Sequence, residues 1–145
     1  MTTNDLLILV RQRLGDMQKL SLSDEELIMS LNVAIDRLSE ELAQDGNPEL
    51  VKEVTLNGTS KELRPDDFIS LCGQFPVIFI QDTDGVKIQH MDPNYAGMMI
   101  VRYFASRKHV HNLTDEIPFD KILLCAQYQE IHAHVLDSLQ ERQLP

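Results

Sequence analysis

A change of hydrophobic period along the chain narrows its possible folds more than any other feature. Leu27, Ile28, Leu31, Ala34, Ile35, Leu38 and Leu42 recur at helical spacing. Ser23 and Glu26 can form a capping box before them, with Leu22 and Leu27 as a hydrophobic staple. Asp45-Gly46-Asn47-Pro48, a cluster of breakers, stops that helix. An earlier helix is marked by Leu6, Leu7, Val10 and Leu14, with Asn4 as its cap and Gly15 as its left-handed end. A third is marked by Ile122, Leu123, Ala126, Ile131, Val135 and Leu139, and runs to Glu141.

Between these the period shortens to two. Val51, Glu53 and Thr55 alternate with Lys52, Val54 and Leu56, and Asn57-Gly58 is a favoured tight turn, so 60–64 is expected as the return strand. Pro65-Asp66-Asp67-Phe68 is expected to open one helical turn. Residues 76–81 and 86–90 flank Asp82-Thr83-Asp84-Gly85 as a second hairpin. The run 98–104 is apolar enough for a central strand. The expected fold is α+β. It is mainly a helical bundle, of two N-terminal helices and a long C-terminal helix, with an antiparallel β-hairpin or small sheet in the middle. The 145 residues suit a single domain, with 139–145 as a short flexible C-terminal tail.

Charge separates the functional classes. The net charge is −10, from 13 basic and 23 acidic residues, which argues against a surface built to grip phosphates or an anionic membrane. No unbroken apolar run is longer than that at 6–10, which is too short to cross a bilayer. The first residues, Met-Thr-Thr-Asn-Asp, place an acid where a secretory signal needs basic charge. Cys72 and Cys125 are therefore expected as reduced, mostly buried thiols. The charges are also uneven. Asp24, Glu25, Glu26, Asp36, Glu40, Glu41 and Asp45 crowd one helix against the single base Arg37. Arg102, Tyr103, Phe104, Arg107, Lys108, His109 and His111 form a basic, aromatic stretch with no acid. Complementary charge of this kind can set register between subunits.

Motifs for chemistry are weak. His132 and His134 are two apart on a helix and cannot share an ion. Glu130 and His134 share a face but lack the HExxH pattern, and His109-Val110-His111 offers only two ligands. Asp82-Thr83-Asp84-Gly85 lacks the remaining positions of a calcium loop, and Asp66-Asp67 suits an acidic first turn better than a catalytic pair. No catalytic residue, metal ligand or cofactor is assigned.

The order of motifs resembles the head–tail connector, or portal adaptor, proteins of tailed bacteriophages. The likeness rests on the run Leu22 to Ala34 with its Leu31-Asn32-Val33-Ala34, and on Asn57-Gly58-Thr59 leading to Leu63-Arg64-Pro65-Asp66-Asp67-Phe68. Val101-Arg102-Tyr103-Phe104 and the run Leu113 to Asp120 before the last helix complete it. The resemblance implies a structural virion protein of the neck, made in the host cytoplasm, with no enzymatic activity. It implies a homo-oligomeric ring of twelve copies between the portal protein and a tail or stopper protein, with double-stranded DNA passing through the lumen. On that reading Arg102, Tyr103, Arg107, Lys108, Leu139 and Leu144 are expected at subunit or portal contacts. Asp36, Glu40, Glu41 and Asp45 are expected on an acidic lumen or interface face, which would let DNA slide. The rival expectation is a small regulatory protein that binds nucleic acid through the basic stretch 102–111. A cysteine or histidine enzyme ranks third.

Overall fold

The computed structural model describes residues 1–16, 22–119 and 121–143, the side chains of 121–129 and 142–143 excepted. Its described helices are α1 (Thr3–Leu14), α2 (Asp24–Gln44) and α3 (Lys121–Gln143). Its strands are β1 (Val51–Asn57), β2 (Glu62–Leu63), β3 (Phe68–Leu71), β4 (Val77–Asp82), β5 (Gly85–His90) and β6 (Met98–Ala105). The strands form two three-stranded antiparallel sheets, ordered β1-β6-β3 and β2-β5-β4. The molecule is mixed α+β, and the expectation of a mainly helical bundle with a small hairpin is wrong. The strands, short as they are, make two sheets with a core of their own.

The chain divides into two compact units, one of residues 1–39 and 107–145 and one of residues 40–106. In the helical unit most of the predicted apolar stripe residues are buried, although Leu14 is exposed, Ile28 is half-buried, and the side chains of Ile122, Leu123 and Ala126 lie outside the described residues. Leu6, Leu7 and Val10 of α1, Leu27, Leu31, Ala34, Ile35 and Leu38 of α2, and Ile131, Val135 and Leu139 of α3 are all almost wholly out of solvent. Ser23 caps α2 by accepting from the Glu26 amide, but the Glu26 carboxylate accepts from the Ser23 hydroxyl rather than from its amide, so the expected box forms only in half. Gly15 takes the left-handed conformation at φ 69°. The cap of α1 differs from expectation. Thr2, not Asn4, accepts from the Asp5 amide, and Asp5 answers the Thr2 amide. Asn4 is already inside the helix, and its amide donates to the Leu113 carbonyl at 2.9 Å. Residues 139–143, assigned to the tail, are the last residues of α3.

A buried cation joins the end of α1 to the start of α2. Arg11 is only 3% exposed, because it shares the apolar face of α1 with Leu7 and Val10. Its Nη1 donates to Asp16 Oδ2 at 3.1 Å and to the Leu22 carbonyl at 2.9 Å, and its Nη2 donates to Asp24 Oδ1 at 2.8 Å. Asp16 Oδ2 also accepts from the Leu22 amide at 3.1 Å. The guanidinium fork thus ties Asp16 and Leu22 to the start of α2.

In the other unit, β1 does not turn back onto 60–64 as expected. It pairs along its whole length with β6, from Val51 opposite Phe104 to Asn57 opposite Met98. β2 joins β5 instead. The polar segment Ser60-Lys61-Glu62 could not cover Val54 and Leu56, whereas Met99 and Val101 can. Pro65 opens a turn, with the Phe68 amide on its carbonyl, and Phe68 begins a strand rather than a helix. The hairpin β4–β5 forms around Asp82 to Gly85, as predicted. Leu56 and Val101 from one sheet and Val77 and Ile88 from the other make one buried cluster, so the sheets pack face to face as a small sandwich.

Arg11→Met should therefore cost about 3–5 kcal/mol, because it removes the buried cation that Asp16, Asp24 and the Leu22 carbonyl share. Urea denaturation checks this. Replacing Asp16 and Asp24 by Asn in the same variant should recover part of the loss.

Candidate interaction surfaces

The strand period divides the basic stretch. Arg102 and Tyr103 are neighbours in β6 and point to opposite faces. Arg102 stands outward, with its Nε 3.6 Å from Glu53 Oε1 across the β1–β6 pair. Tyr103 is inside the sandwich at 4% exposure. Its ring stacks on Phe68 at 5.6 Å, and its hydroxyl donates to Asp67 Oδ1 at 3.1 Å. Asp67 Oδ2 in turn accepts from Lys52 Nζ at 2.6 Å. Burial, reinforced by the Asp67 carboxylate, pushes the Tyr103 phenol up to about 12. Phe79 tilts against Phe68 at 5.4 Å, and the Arg64 guanidinium lies over Phe68 at 5.2 Å.

The rest of the stretch is strapped onto α2. Ser39, Asp36 and Asn32 lie on one face of that helix, spaced by three and four residues. The Arg107 amide donates to Ser39 Oγ at 3.1 Å. His109 Nε2 contacts Asp36 Oδ1 at 2.9 Å. Asn32 donates to the Val110 carbonyl at 2.9 Å and accepts from the Val110 amide at 2.8 Å, as a neighbouring strand would. Asp36 and His109, taken from opposite charge runs, thus meet inside one subunit. Beyond the strap, Asp115 Oδ2 accepts from the His111 and Asn112 amides, which hold its carboxyl below the usual range. The carbonyls of Leu113 and Asp115 receive the first amides of α1. Buried His132 of α3 has its pKa lowered, first by desolvation and then by Arg13.

Of the other predicted site residues, Arg107 is half-buried, while Lys108, Glu40, Glu41 and Asp45 are exposed. Leu139 is buried in α3. Leu144 and the Cys125 side chain lie outside the described residues. Cys72 is a half-buried free thiol.

Sequence reading missed the apolar side chains that the sandwich leaves in water. On the outer face of the β1-β6-β3 sheet, Met98 is 68% exposed and Ile100 is 51% exposed. On the outer face of the β2-β5-β4 sheet, Leu63 is 55% exposed and Ile78 is 40% exposed. Alternation was the available signal. In β6, Val101 and Tyr103 claim the inner face, so Met98 and Ile100 must take the other.

The sequence matches no protein-family model and none of the curated proteins.

Two variants test these assignments. Asn32→Ala removes both bonds to Val110 and should cost about 2 kcal/mol in urea denaturation. Ultraviolet titration, with Tyr103→Phe as the blank, should place the Tyr103 phenol near 12. Asp67→Asn should bring it part of the way back toward 10, with burial holding it above that value. Because the folded value is raised, the contribution of this group to stability is intact below pH 10 and disappears as pH climbs toward 12.

Proposed function

We propose that this chain is a structural subunit of a tailed-phage neck: a head–tail connector whose copies form a twelve-membered ring between the portal and a tail or stopper protein. The observation that carries the reading is the set of exposed apolar side chains on both outer faces of the sandwich, in a chain of net charge −10. Such residues mark surfaces that a partner covers. The resemblance motifs support it by their roles. Leu31 and Ala34 are buried, Asn32 clasps Val110, and the run from Leu113 feeds its carbonyls to α1. These are tasks of scaffolding.

The charge layout fits a DNA conduit. Glu40 and Glu41 stand in the last turns of α2, where the helix dipole disfavours acids by about 0.3–1 kcal/mol each. A lumen that must not hold phosphates gives a reason for such placement. Asp36 is engaged by His109, and Glu40, Glu41 and Asp45 are the exposed acids of the predicted face. The nucleic-acid reading is weakened by the same pairing, and by Glu53 beside Arg102.

Sedimentation of the chain with and without a purified portal ring tests the proposal. Several copies per portal particle are expected, and no co-sedimentation at any ratio would contradict it. Changing Glu40, Glu41 and Asp45 together to Lys should create retention of duplex DNA that weakens steeply between about 50 and 200 mM salt. The parent chain should show none, and DNA binding by the parent would favour the regulatory reading.

A further inference from the structure

The two exposed apolar pairs lie on opposite sides of one sandwich. The inner faces are joined through Leu56, Val101, Val77 and Ile88, so Met98 and Ile100 face away from Leu63 and Ile78. Each pair is flanked by charges of both signs. Beside Met98 and Ile100 stand Glu53 and Arg102, on the same face by their register. Beside Leu63 and Ile78 stand Lys87 and, at the hairpin end, Asp82.

We infer that the outer face of the β1-β6-β3 sheet of one copy docks on the outer face of the β2-β5-β4 sheet of the next. The occupant of each surface is a second copy of this chain. Apolar pair meets apolar pair, and the flanking charges can pair as Glu53 with Lys87 and Arg102 with Asp82. That match singles out a copy over an unrelated partner. Within one subunit the exposed Arg102 and Glu53 are loosely paired at 3.6 Å, which leaves both available to a neighbour, while Lys87, 3.8 Å from Asp84, is half-buried and offers only the end of its side chain. The contact uses a different surface on each partner, so it is head-to-tail. Contacts of that type generate a closed ring or an open filament, never a closed pair. The inference rests on the connector reading only for closure into a ring.

Two surface variants of the full chain test it. Variant one carries Met98→Glu and Ile100→Glu; variant two carries Leu63→Glu and Ile78→Lys. In analytical ultracentrifugation the parent should form higher oligomers, and each variant alone should be monomeric. Mixed in equal amounts, they should form a dimer and nothing larger, because each retains the face that the other lacks. A charge swap at the rim, Glu53→Arg with Arg102→Glu, preserves the internal pair and the apolar core. It should still weaken parent-type oligomers at least tenfold, so the test survives poor folding of the first variants. Variants that keep the parent's mass, or a mixture that stays monomeric, would overturn the inference. So would variants that keep the parent's mass and lose only portal binding, since the faces would then belong to the portal. A parent oligomer unaffected by the variants leaves the connector reading standing. Oligomers that respond as described but ignore the portal would sink that reading and leave this one.

Discussion

The long antiparallel ladder between β1 and β6 governs the β unit. It joins residues 51–57 to residues 98–104 across the intervening strands, and it makes β6 the centre of its sheet. Once that register is set, the pleat decides every face. Val54, Leu56, Met99, Val101 and Tyr103 turn inward. Glu53, Arg102, Met98 and Ile100 turn outward. A slip by one residue would bury Arg102 and Glu53 and expose Val101 and Leu56. The inner face then accepts Val77 and Ile88 from the second sheet, and the aromatic group of Phe68, Phe79 and Tyr103 fills one end. The outward apolar side chains are a consequence of the same register, and the proposed copy-to-copy contact depends on it.

The helical unit is held by polar devices as much as by its apolar stripes. Arg11 binds the carboxylates of Asp16 and Asp24 and the carbonyl of Leu22. Asn32, Asp36 and Ser39 seize the backbone or side chains of 107–110. The next residues cap α1. A buried guanidinium and a side-chain amide that mimics a strand are directional, so they fix the residues they bond more tightly than apolar contact alone would.

Much of this was legible in the residues, and the failures have physical causes. The stripe from Leu27 to Leu42 and its Ser23–Glu26 cap marked α2, because helix period and capping are local. The Asp82 to Gly85 hairpin was legible for the same reason. The β1–β6 pairing was not, since alternation reveals faces and says nothing about distant partners. Asn57-Gly58 invited a hairpin that the polar residues after it could not sustain. Pro65 with two acids read as a helix start, yet the same residues suit a turn into a strand. Arg11 was overlooked although its spacing from Leu7 placed it on the buried face. The charge runs were read as surfaces because counting along the chain cannot see that His109 reaches Asp36, or that Tyr103 turns inward onto Asp67.

On the proposed reading, this polypeptide works by fitting against copies of itself on a larger collar. Electron microscopy of the unmodified full chain bound to a purified portal tests that most directly. Closed annuli, one subunit thick and open at the centre widely enough for duplex DNA, are the predicted image. Isolated single copies scattered over the portal, or a solid plug without an axial opening, would contradict it.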